Sequence, residues 1–397
     1  ISLDGFGLKS MTSGISSAGA LINHLINDLQ INIDHIKTIH TDKLSKYLQI
    51  NHSCMRNLEV IESYTKQHSL LKLIDQTQTP MGGRLLSSWV KYPLLDITKI
   101  KQRQNAINEL VCDPFLLSNL KDALSGIRDL ERLIMKISSG YASPRDLLSL
   151  RFSIEQSCKI KNIILDLKSN LMEKNTANLI DLSHLAKIIE TSICDTPPLK
   201  TNDGNIFNDG YNKELDELRA ISKGQAKNVG DRFVRRQTLV NAERFITNEL
   251  KEFEEKALTA QEQIKALESK LYEELRMQIS SYFPQVTKIA KAIANIDVIY
   301  SFATCAKRYN FICPEINNDN VIDIKNGRHP LIESTLRSNE FIPNDTYLDN
   351  DKNNLFIITG PNMAGKSTYI RQVAIITLLA QMGSFVPAKY AKIGIVD

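Results

Sequence analysis

The chain has 397 residues, of which 42% are hydrophobic and 24% are charged. This length predicts two to four domains, since a domain commonly holds roughly 100–200 residues, and the composition is that of a globular protein with a sizeable core. We find no apolar run near the roughly 18 residues that span a membrane, no secretory leader, and a net charge of +4 that is too small to establish a nucleic-acid partner by itself.

Six cysteines are scattered along the chain, at Cys54, Cys112, Cys158, Cys194, Cys305 and Cys313. None of them has the Cys-x-x-Cys or Cys/His spacing that is typical of a zinc site. We therefore expect reduced structural thiols in a cytoplasmic protein.

The first long region, residues 55–195, is predicted to be mostly helical. Apolar residues recur there at spacings of three and four, for example in residues 110–124 and 127–137. Prolines punctuate the pattern and are expected to end or begin helices. Ser143-Pro144 is typical of an N-cap followed by proline at the first helical position.

A second helical region, residues 234–283, contains neither glycine nor proline. Its apolar residues again recur at helical spacing, which predicts one amphipathic helix of about 70 Å. A helix of that length outgrows a compact domain, so we interpret it as a lever or coiled-coil arm between domains. The alternative is two helices with a break that the sequence does not mark.

A basic stretch, residues 222–236, precedes this region and contains a single acidic residue. Its cations are Lys223, Lys227, Arg232, Arg235 and Arg236. Two glycines indicate that the chain reverses here between two helices. The stretch is consistent with a contact to the DNA backbone at a helical tip, and equally with a solvated basic loop.

From about Cys313 the pattern changes to that of an α/β domain. Residues 321–324 and 355–358 are short runs rich in apolar and β-branched residues, which predict buried strands, and residues 368–382 are helix-like.

A phosphate-binding loop lies between the second strand and this helix. The loop fits Gly-x-x-x-x-Gly-Lys-Ser with Gly360, Pro361, Asn362, Met363, Ala364, Gly365, Lys366 and Ser367. Its glycines allow amide N–H groups to turn toward phosphate oxygens. Lys366 is expected to contact the β- and γ-phosphates, Ser367 to bind Mg²⁺, and the helix to add its positive dipole end. The loop predicts binding of ATP or GTP.

Hydrolysis requires more than this loop, because phosphoryl transfer also needs a further acidic residue for Mg²⁺ and a group that activates water. Asp397 follows a possible strand, residues 393–396, but no acidic pair on a hydrophobic strand is visible. We expect the chain to bind nucleotide and to hydrolyse it poorly or not at all.

The loop and its flanks resemble the MutS family of DNA mismatch-repair ATPases, in its bacterial branch. The likeness extends over residues 357–372 (IITGPNMAGKSTYIRQ), which include Thr368, and residues 380–388 (AQMGSFVPA). The other blocks that resemble the family are residues 79–86 (TPMGGRLL), 129–133 (DLERL), 142–147 (ASPRDL), 209–216 (DGYNKELD), 236–245 (RQTLVNAERF), 327–330 (GRHP) and 341–345 (FIPND). The resemblance covers nearly the whole chain, and its blocks occur in the family's order.

This resemblance implies a multidomain fold, with a mostly α-helical core and long lever helices followed by the N-terminal part of an α/β P-loop ATPase domain of the ABC type. The implied domains are the tail of a connector (1–40), the helical core (41–220), a remnant of the DNA clamp (221–236), the lever helices (237–312) and the start of the ATPase domain (313–397).

The resemblance also implies ligands and partners. The ligand is ATP with Mg²⁺, bound by the loop and Thr368, and the adenine is stacked on Phe341. The partners are mismatched double-stranded DNA, a second copy bound through the ATPase domain, and a MutL-type protein. No membrane is implied. Phe341 is also consistent with an ordinary core residue, and His329 with either a structural histidine or a neighbour of the ligand.

Three departures from the family pattern qualify the expected ATP-dependent recognition of mismatched DNA. The mismatch-reading domain, with its Phe-x-Glu wedge, would lie upstream of Ile1. The family usually has several dozen more residues of the clamp between Ile221 and Ser222. The second acidic motif would lie beyond Asp397. Two alternatives stay open: a MutS paralogue that binds DNA junctions without reading mismatches, and a nucleotide-binding fragment that does not hydrolyse ATP.

Overall fold

The computed structural model describes residues 11–30, 33, 44–62, 69–224, 234–239, 242–246, 248–336, 341–361 and 364–397. This part of the chain is mostly helical and contains a small mixed sheet. Its α-helices are α1 (Thr12–Asn23), α2 (His52–Asn57), α3 (Leu70–Ile74), α4 (Pro80–Lys91), α5 (Ile97–Cys112), α6 (Pro114–Ser125), α7 (Leu130–Ser138), α8 (Pro144–Ile163), α9 (Asn170–Asn178), α10 (Ser183–Ser192), α11 (Lys213–Gly224), α12 (Asn248–Ser280), α13 (Phe283–Tyr309), α14 (Pro330–Glu333) and α15 (Lys366–Met382). Its strands are β1 (Val234–Leu239), β2 (Ala242–Ile246), β3 (Glu315–Asn317), β4 (Ile322–Gly327), β5 (Asn344–Leu348) and β6 (Tyr390–Gly394).

The chain divides into two compact units. Unit 1 comprises Ile1–Leu130, Gln156–Ile180 and Thr287–Asp397. Unit 2 comprises Glu131–Glu155 and Asp181–Val286. Since α8 and α13 cross these boundaries along the chain, each contributes residues to both units.

Helix α13 provides much of the core of unit 1. Ile289, Ile293, Ile296 and Phe302 are fully buried, and a helix that is apolar on most faces is one enclosed by other elements. By length and composition α13 could cross a membrane. However, 83% of its apolar stretch is buried inside the structure, as in the core helix of a globular protein. An apolar stretch of this length was not predicted from the sequence.

The N-terminus of α4 is bound by a carboxylate from α13. Asp297 accepts hydrogen bonds from the backbone N–H of Gln78 at 2.9 Å and of Thr79 at 2.8 Å, and from the Thr79 hydroxyl at 2.6 Å. The Thr79 hydroxyl oxygen in turn accepts from the N–H of Gly82. The N–H of Gly82, a first-turn donor without a partner inside the helix, is thus satisfied, and Asp297 holds the capping residue in place. Desolvation by burial outweighs these bonds and raises the pKa of Asp297 to about 6.

The mixed sheet of unit 1 has the strand order β3-β6-β4-β5. β3 runs parallel to β6, whereas β4 runs antiparallel to both β5 and β6. Two buried pairs lie on β6, with Ile316 of β3 opposite Ile393 and Ile324 of β4 opposite Ala391. The strand predicted at residues 321–324 is therefore present as β4, and β6 overlaps the possible strand at residues 393–396.

In unit 2, local sequence signals set the start of α8 as predicted. The backbone N–H of Asp146 donates to the Ser143 hydroxyl at 3.3 Å, and the N–H of Ser143 donates to the Asp146 carboxylate at 2.9 Å. This reciprocal capping, with Pro144 at the first helical position, confirms the predicted helix start.

Helix α12 presents four buried or partly buried polar side chains at four-residue intervals, which places them on one face. Glu268 binds Arg219 of α11 at 2.7 Å, and Tyr272 donates to the carbonyl of Ala142 at 2.7 Å. Arg276 donates to the carbonyl of Ile137 at 2.6 Å, and Ser280 donates to the Ser138 hydroxyl at 3.2 Å. The polar face fixes α12 against the rest of unit 2 through two backbone carbonyls and two side chains.

The single helix predicted over residues 234–283 is wrong in two places. Its first part forms the antiparallel hairpin of β1 and β2, where β-branched and aromatic residues such as Val234 and Phe245 favour strands. Its far end breaks between α12 and α13, because Pro284 lacks an N–H and suits the first turn of a new helix. α12 keeps 33 residues, which corresponds to about 50 Å.

Candidate functional site

The phosphate-binding loop lies at the N-terminus of α15 in unit 1. Gly360 has φ +152° and Gly365, which immediately precedes the helix, has φ +86° in the left-handed region. L-residues with a side chain rarely adopt these values, so both positions favour glycine. The backbone N–H of Tyr369 donates to the carbonyl of Gly365 at 2.9 Å, which closes the first turn of α15. The predicted helix at residues 368–382 is thereby confirmed, with two further residues at its start.

Lys366 folds back over the loop that precedes it. Its Nζ donates to the carbonyl oxygens of Gly360 at 2.5 Å and Pro361 at 2.6 Å. Ser367 is exposed and Thr368 is half-buried on the first turn of the helix. The ammonium group therefore lies beside the first residues of the loop, bonded to carbonyl oxygens that phosphate oxygens can replace. Asn362 and Met363 lie outside the described residues.

The strand predicted at residues 355–358 is wrong. The segment has no strand conformation, and Leu355 and Ile357 are 77% and 85% exposed. A strand needs a hydrogen-bonded neighbour, and in the described part of the chain the sheet β3-β6-β4-β5 does not extend to this segment. Leu355, Phe356 and Ile358 line a groove beside α15, together with Tyr369 and Val373 of that helix.

Strand β5 is held against the first turns of α15. The Thr346 hydroxyl donates to the Tyr369 hydroxyl at 2.9 Å, and the Asn344 amide donates to Gln372 Oε1 at 3.4 Å. Phe341, the predicted adenine-stacking residue, is half-buried and precedes β5 by three residues. The phenylalanine thus leads into a strand that is hydrogen-bonded to the loop's helix.

His329 is 3% exposed, and in the described structure neither of its ring nitrogens has a hydrogen-bond partner. Burial first, and the charge of Arg371 on α15 second, lower the pKa of His329 to about 4. The imidazole is therefore neutral at pH 7. Both roles that the sequence left open for His329, a structural histidine and a neighbour of the ligand, are compatible with a buried neutral ring.

The described part of the chain contains no cluster of metal-binding side chains. Within the described ranges, no group of three or more His, Cys, Asp or Glu residues could hold one. A Mg²⁺ ion at Ser367 would therefore need oxygen ligands from a nucleotide and from water, as is usual for this ion.

The predicted DNA-contacting residues fall where side chains are not described. Lys227 and Arg232 lie outside the described residues, and Lys223 is in the last turn of α11. Arg235 and Arg236 are on β1, at a shift in the register with β2. Most of the predicted turn, residues 225–233, lies outside the described residues, and the element described after it is β1 rather than the predicted helix.

Comparisons with known proteins give two family matches. The description "MutS domain III" matches residues 53–303, and "MutS domain V" matches residues 356–397. The second match includes the whole phosphate-binding loop.

Individual relatives are named "DNA mismatch repair protein MutS". The chain is 44% identical to that of Protochlamydia amoebophila over 436 aligned residues, which cover 100% of the chain and 51% of the relative. It is 39% identical to that of Lachnoclostridium phytofermentans (100% and 47% covered) and 38% identical to that of Acetivibrio thermocellus (96% and 49% covered). The chain spans about half the length of these relatives. The first alignment is longer than the chain, so that relative has residues without a counterpart here.

Proposed function

Because the chain belongs to the MutS family, we propose that it is the ATP-binding and DNA-clamping part of a protein that recognises mismatched DNA in mismatch repair. The family relationship supports the DNA substrate, since the relatives are named for mismatch repair. One structural observation supports nucleotide binding. A glycine-flanked loop lies at a helix N-terminus, and Lys366 is hydrogen-bonded to the loop carbonyls. Such a terminus favours anions through its free N–H groups and its dipole.

The proposed nucleotide site consists of the loop residues Gly360, Pro361, Asn362, Met363, Ala364, Gly365, Lys366 and Ser367, together with Thr368. Lys366 leaves its two carbonyl partners and binds the β- and γ-phosphates, as in other P-loops. Ser367, exposed on the first turn, supplies one oxygen to Mg²⁺. Phe341 stacks on the adenine, which favours ATP over a nucleotide without a purine.

The proposed DNA contact is the segment between α11 and α12, in the remnant of the clamp. Its cations are Lys223, Lys227, Arg232, Arg235 and Arg236. Lysine and arginine in such a segment bind phosphates and release counterions, which gives affinity without sequence information. The contact is therefore expected to weaken steeply as salt concentration rises.

The remaining parts of the proposal follow from the family. Residues 1–40 belong to a connector, 41–220 to the helical core, 237–312 to the levers and 313–397 to the start of a P-loop ATPase domain. That domain pairs with a second copy, and the assembled protein acts with a MutL-type partner in the cytoplasm. Nucleotide binding at the loop switches the DNA clamp.

Filter binding with matched duplexes tests this function. The full-length protein that contains this chain is titrated against two DNA duplexes that differ in one mismatched base pair, with and without ATP. We expect tighter binding to the mismatched duplex in the absence of ATP. Addition of ATP should remove this preference in the wild type but not in Lys366→Ala. Equal affinity for both duplexes would leave a DNA-binding relative that does not read mismatches.

A further inference from the structure

The C-terminal end of α15, opposite the phosphate-binding loop, is capped by an arginine from α5. Arg103 Nη1 donates to the carbonyl oxygen of Met382, the last residue of α15, at 2.7 Å. The last carbonyls of a helix lack partners within the helix and form the negative end of its dipole, so a cation is favourable there. Gly383 follows with φ +83°, and a Cβ at this position would lie 2.7 Å from the Cβ of Arg103. The end of the helix and the arginine are closely fitted.

The same arginine stacks on the only tryptophan of the chain. The Cζ atom of Arg103 lies 3.3 Å from the ring centroid of Trp89 on α4. A planar guanidinium over an indole face combines cation–π attraction with stacking. Burial lowers the pKa of Arg103 to about 9, which leaves the group charged at neutral pH.

Trp89 in turn contacts an aromatic residue of α13. Its ring centroid lies 6.1 Å from that of Phe302, with the two planes tilted by 45°. Trp89 is 8% exposed and Phe302 is fully buried. Three side chains in unit 1 therefore connect the last carbonyl of α15 with α5, α4 and α13.

Contacts that do not involve Arg103 also attach this end of α15. The backbone N–H of Leu94 donates to the carbonyl of Gln381 at 3.0 Å, and the Gln381 amide donates to the carbonyls of Leu94 at 3.3 Å and Val396 at 2.9 Å. The docking of α15 therefore does not depend on the arginine alone. Variants of Arg103 are expected to fold, which allows its role to be separated from stability.

We infer that Arg103 is a positioning residue that couples nucleotide occupancy of the loop to α13 through Trp89 and Phe302. The inference rests on the proposed binding of ATP. Helix α15 has 17 residues, which makes it a rod of about 25 Å. Phosphates bind at one end and Arg103 holds the other, so a tilt or shift of the rod moves the Met382 carbonyl. Arg103, bonded to that carbonyl and stacked on Trp89, transmits the movement into a packed core.

The choice of arginine is specific to this role. Lysine could reach a helix carbonyl and complement the dipole, but its ammonium cannot lie flat on an indole ring. Arg103→Lys therefore keeps the charge at the end of α15 and removes the stacking that joins it to Trp89. A residue that served only to neutralise the helix dipole would tolerate this exchange.

The emission of Trp89 is a direct readout, because no other tryptophan contributes. The chain is titrated with Mg²⁺ and ATP while Trp89 emission is recorded, and ATP binding is measured separately by equilibrium dialysis. We expect an emission change in the wild type that saturates together with dialysis binding. In Arg103→Lys and Arg103→Met, ATP still binds but the change at saturation is lost. Lys101→Met removes an exposed cation from the same helix and should respond as the wild type does.

Hydrogen exchange of α13 peptides gives a second readout that does not depend on the indole. ATP should alter exchange in α13 of the wild type and of Lys101→Met, but not in the Arg103 variants. Binding of ATP without any change in emission or α13 exchange would overturn the inference while leaving the proposed nucleotide site intact. An unaltered response in Arg103→Lys would also overturn it. Absence of ATP binding in dialysis would refute the proposed site, and the coupling with it.

Discussion

The buried imidazole of His329 makes the stability of unit 1 depend on pH. The pKa of His329 is lowered from its ordinary 6.5 to about 4 in the folded chain, by burial first and by Arg371 second. Between these values the unfolded chain binds a proton that the folded chain does not. The neutral imidazole of His329 therefore makes its full contribution to the free energy of unfolding above about pH 6.5. This contribution is lost as the pH falls toward 4.

The size of this effect follows from the two pKa values. One pKa unit is worth about 1.4 kcal/mol, so the full difference corresponds to about 3 kcal/mol. At pH 5 about 2 kcal/mol of it should already be lost. Asp297 titrates in the same window with the opposite sign. Its pKa is raised to about 6 by burial, so its contribution to stability increases as the pH falls through 6. A comparison of variants that differ only at His329 cancels this second contribution.

Urea unfolding followed by Trp89 emission measures the effect, since Trp89 and His329 belong to the same unit. The free energy of unfolding is determined at pH 7.5 and pH 5 for the wild type, for His329→Leu and for His52→Leu, which changes an exposed histidine in that unit. The wild type and His52→Leu should each lose about 2 kcal/mol more than His329→Leu. The same pH dependence in all three proteins would refute a buried neutral imidazole at position 329.

Three other substitutions test packing and ligand contacts. Gly82→Ala would place a Cβ 2.1 Å from a carboxylate oxygen of Asp297, so Trp89-monitored unfolding should show a loss of about 1–3 kcal/mol; an unchanged midpoint would contradict the close fit. Glu268→Gln breaks a buried ion pair with Arg219 and should lower stability by about 3–5 kcal/mol, as measured by hydrogen exchange of α12. Arg219→Met combined with Glu268→Leu should recover most of this loss, and an equal loss of stability in both proteins would argue against the ion pair. Phe341→Ala should weaken ATP binding by about tenfold in dialysis if the ring stacks on adenine, and unchanged affinity would make Phe341 an ordinary core residue.

The features that were predictable from sequence are those set by neighbouring residues. Ser143 with Pro144 identified a helix start, and Gly365 followed by Lys366 located the loop and α15. Each signal depends on backbone groups within a few positions, so distant parts of the chain do not alter it.

The features that were missed depend on distant partners. The hairpin of β1 and β2 has apolar spacing that a short helix shares, so periodicity alone did not separate them. Residues 355–358 have the composition of a buried strand but are exposed, because a strand also requires a neighbour. Arg103 was not singled out in the sequence, and only the fold places it between Trp89 and Met382.

The most direct test of the nucleotide site is equilibrium dialysis of ATP with Mg²⁺ against the wild-type chain and Lys366→Ala. Lys366 is the cation that lies within the loop, and charge-assisted hydrogen bonds of the kind it would make to phosphate contribute roughly 1.5–3 kcal/mol. The wild type should bind ATP saturably, and Lys366→Ala should bind at least about tenfold more weakly while Trp89 emission shows that unit 1 remains folded. Equal affinity of the two proteins for ATP would contradict the assignment of residues 360–367 as the phosphate-binding loop.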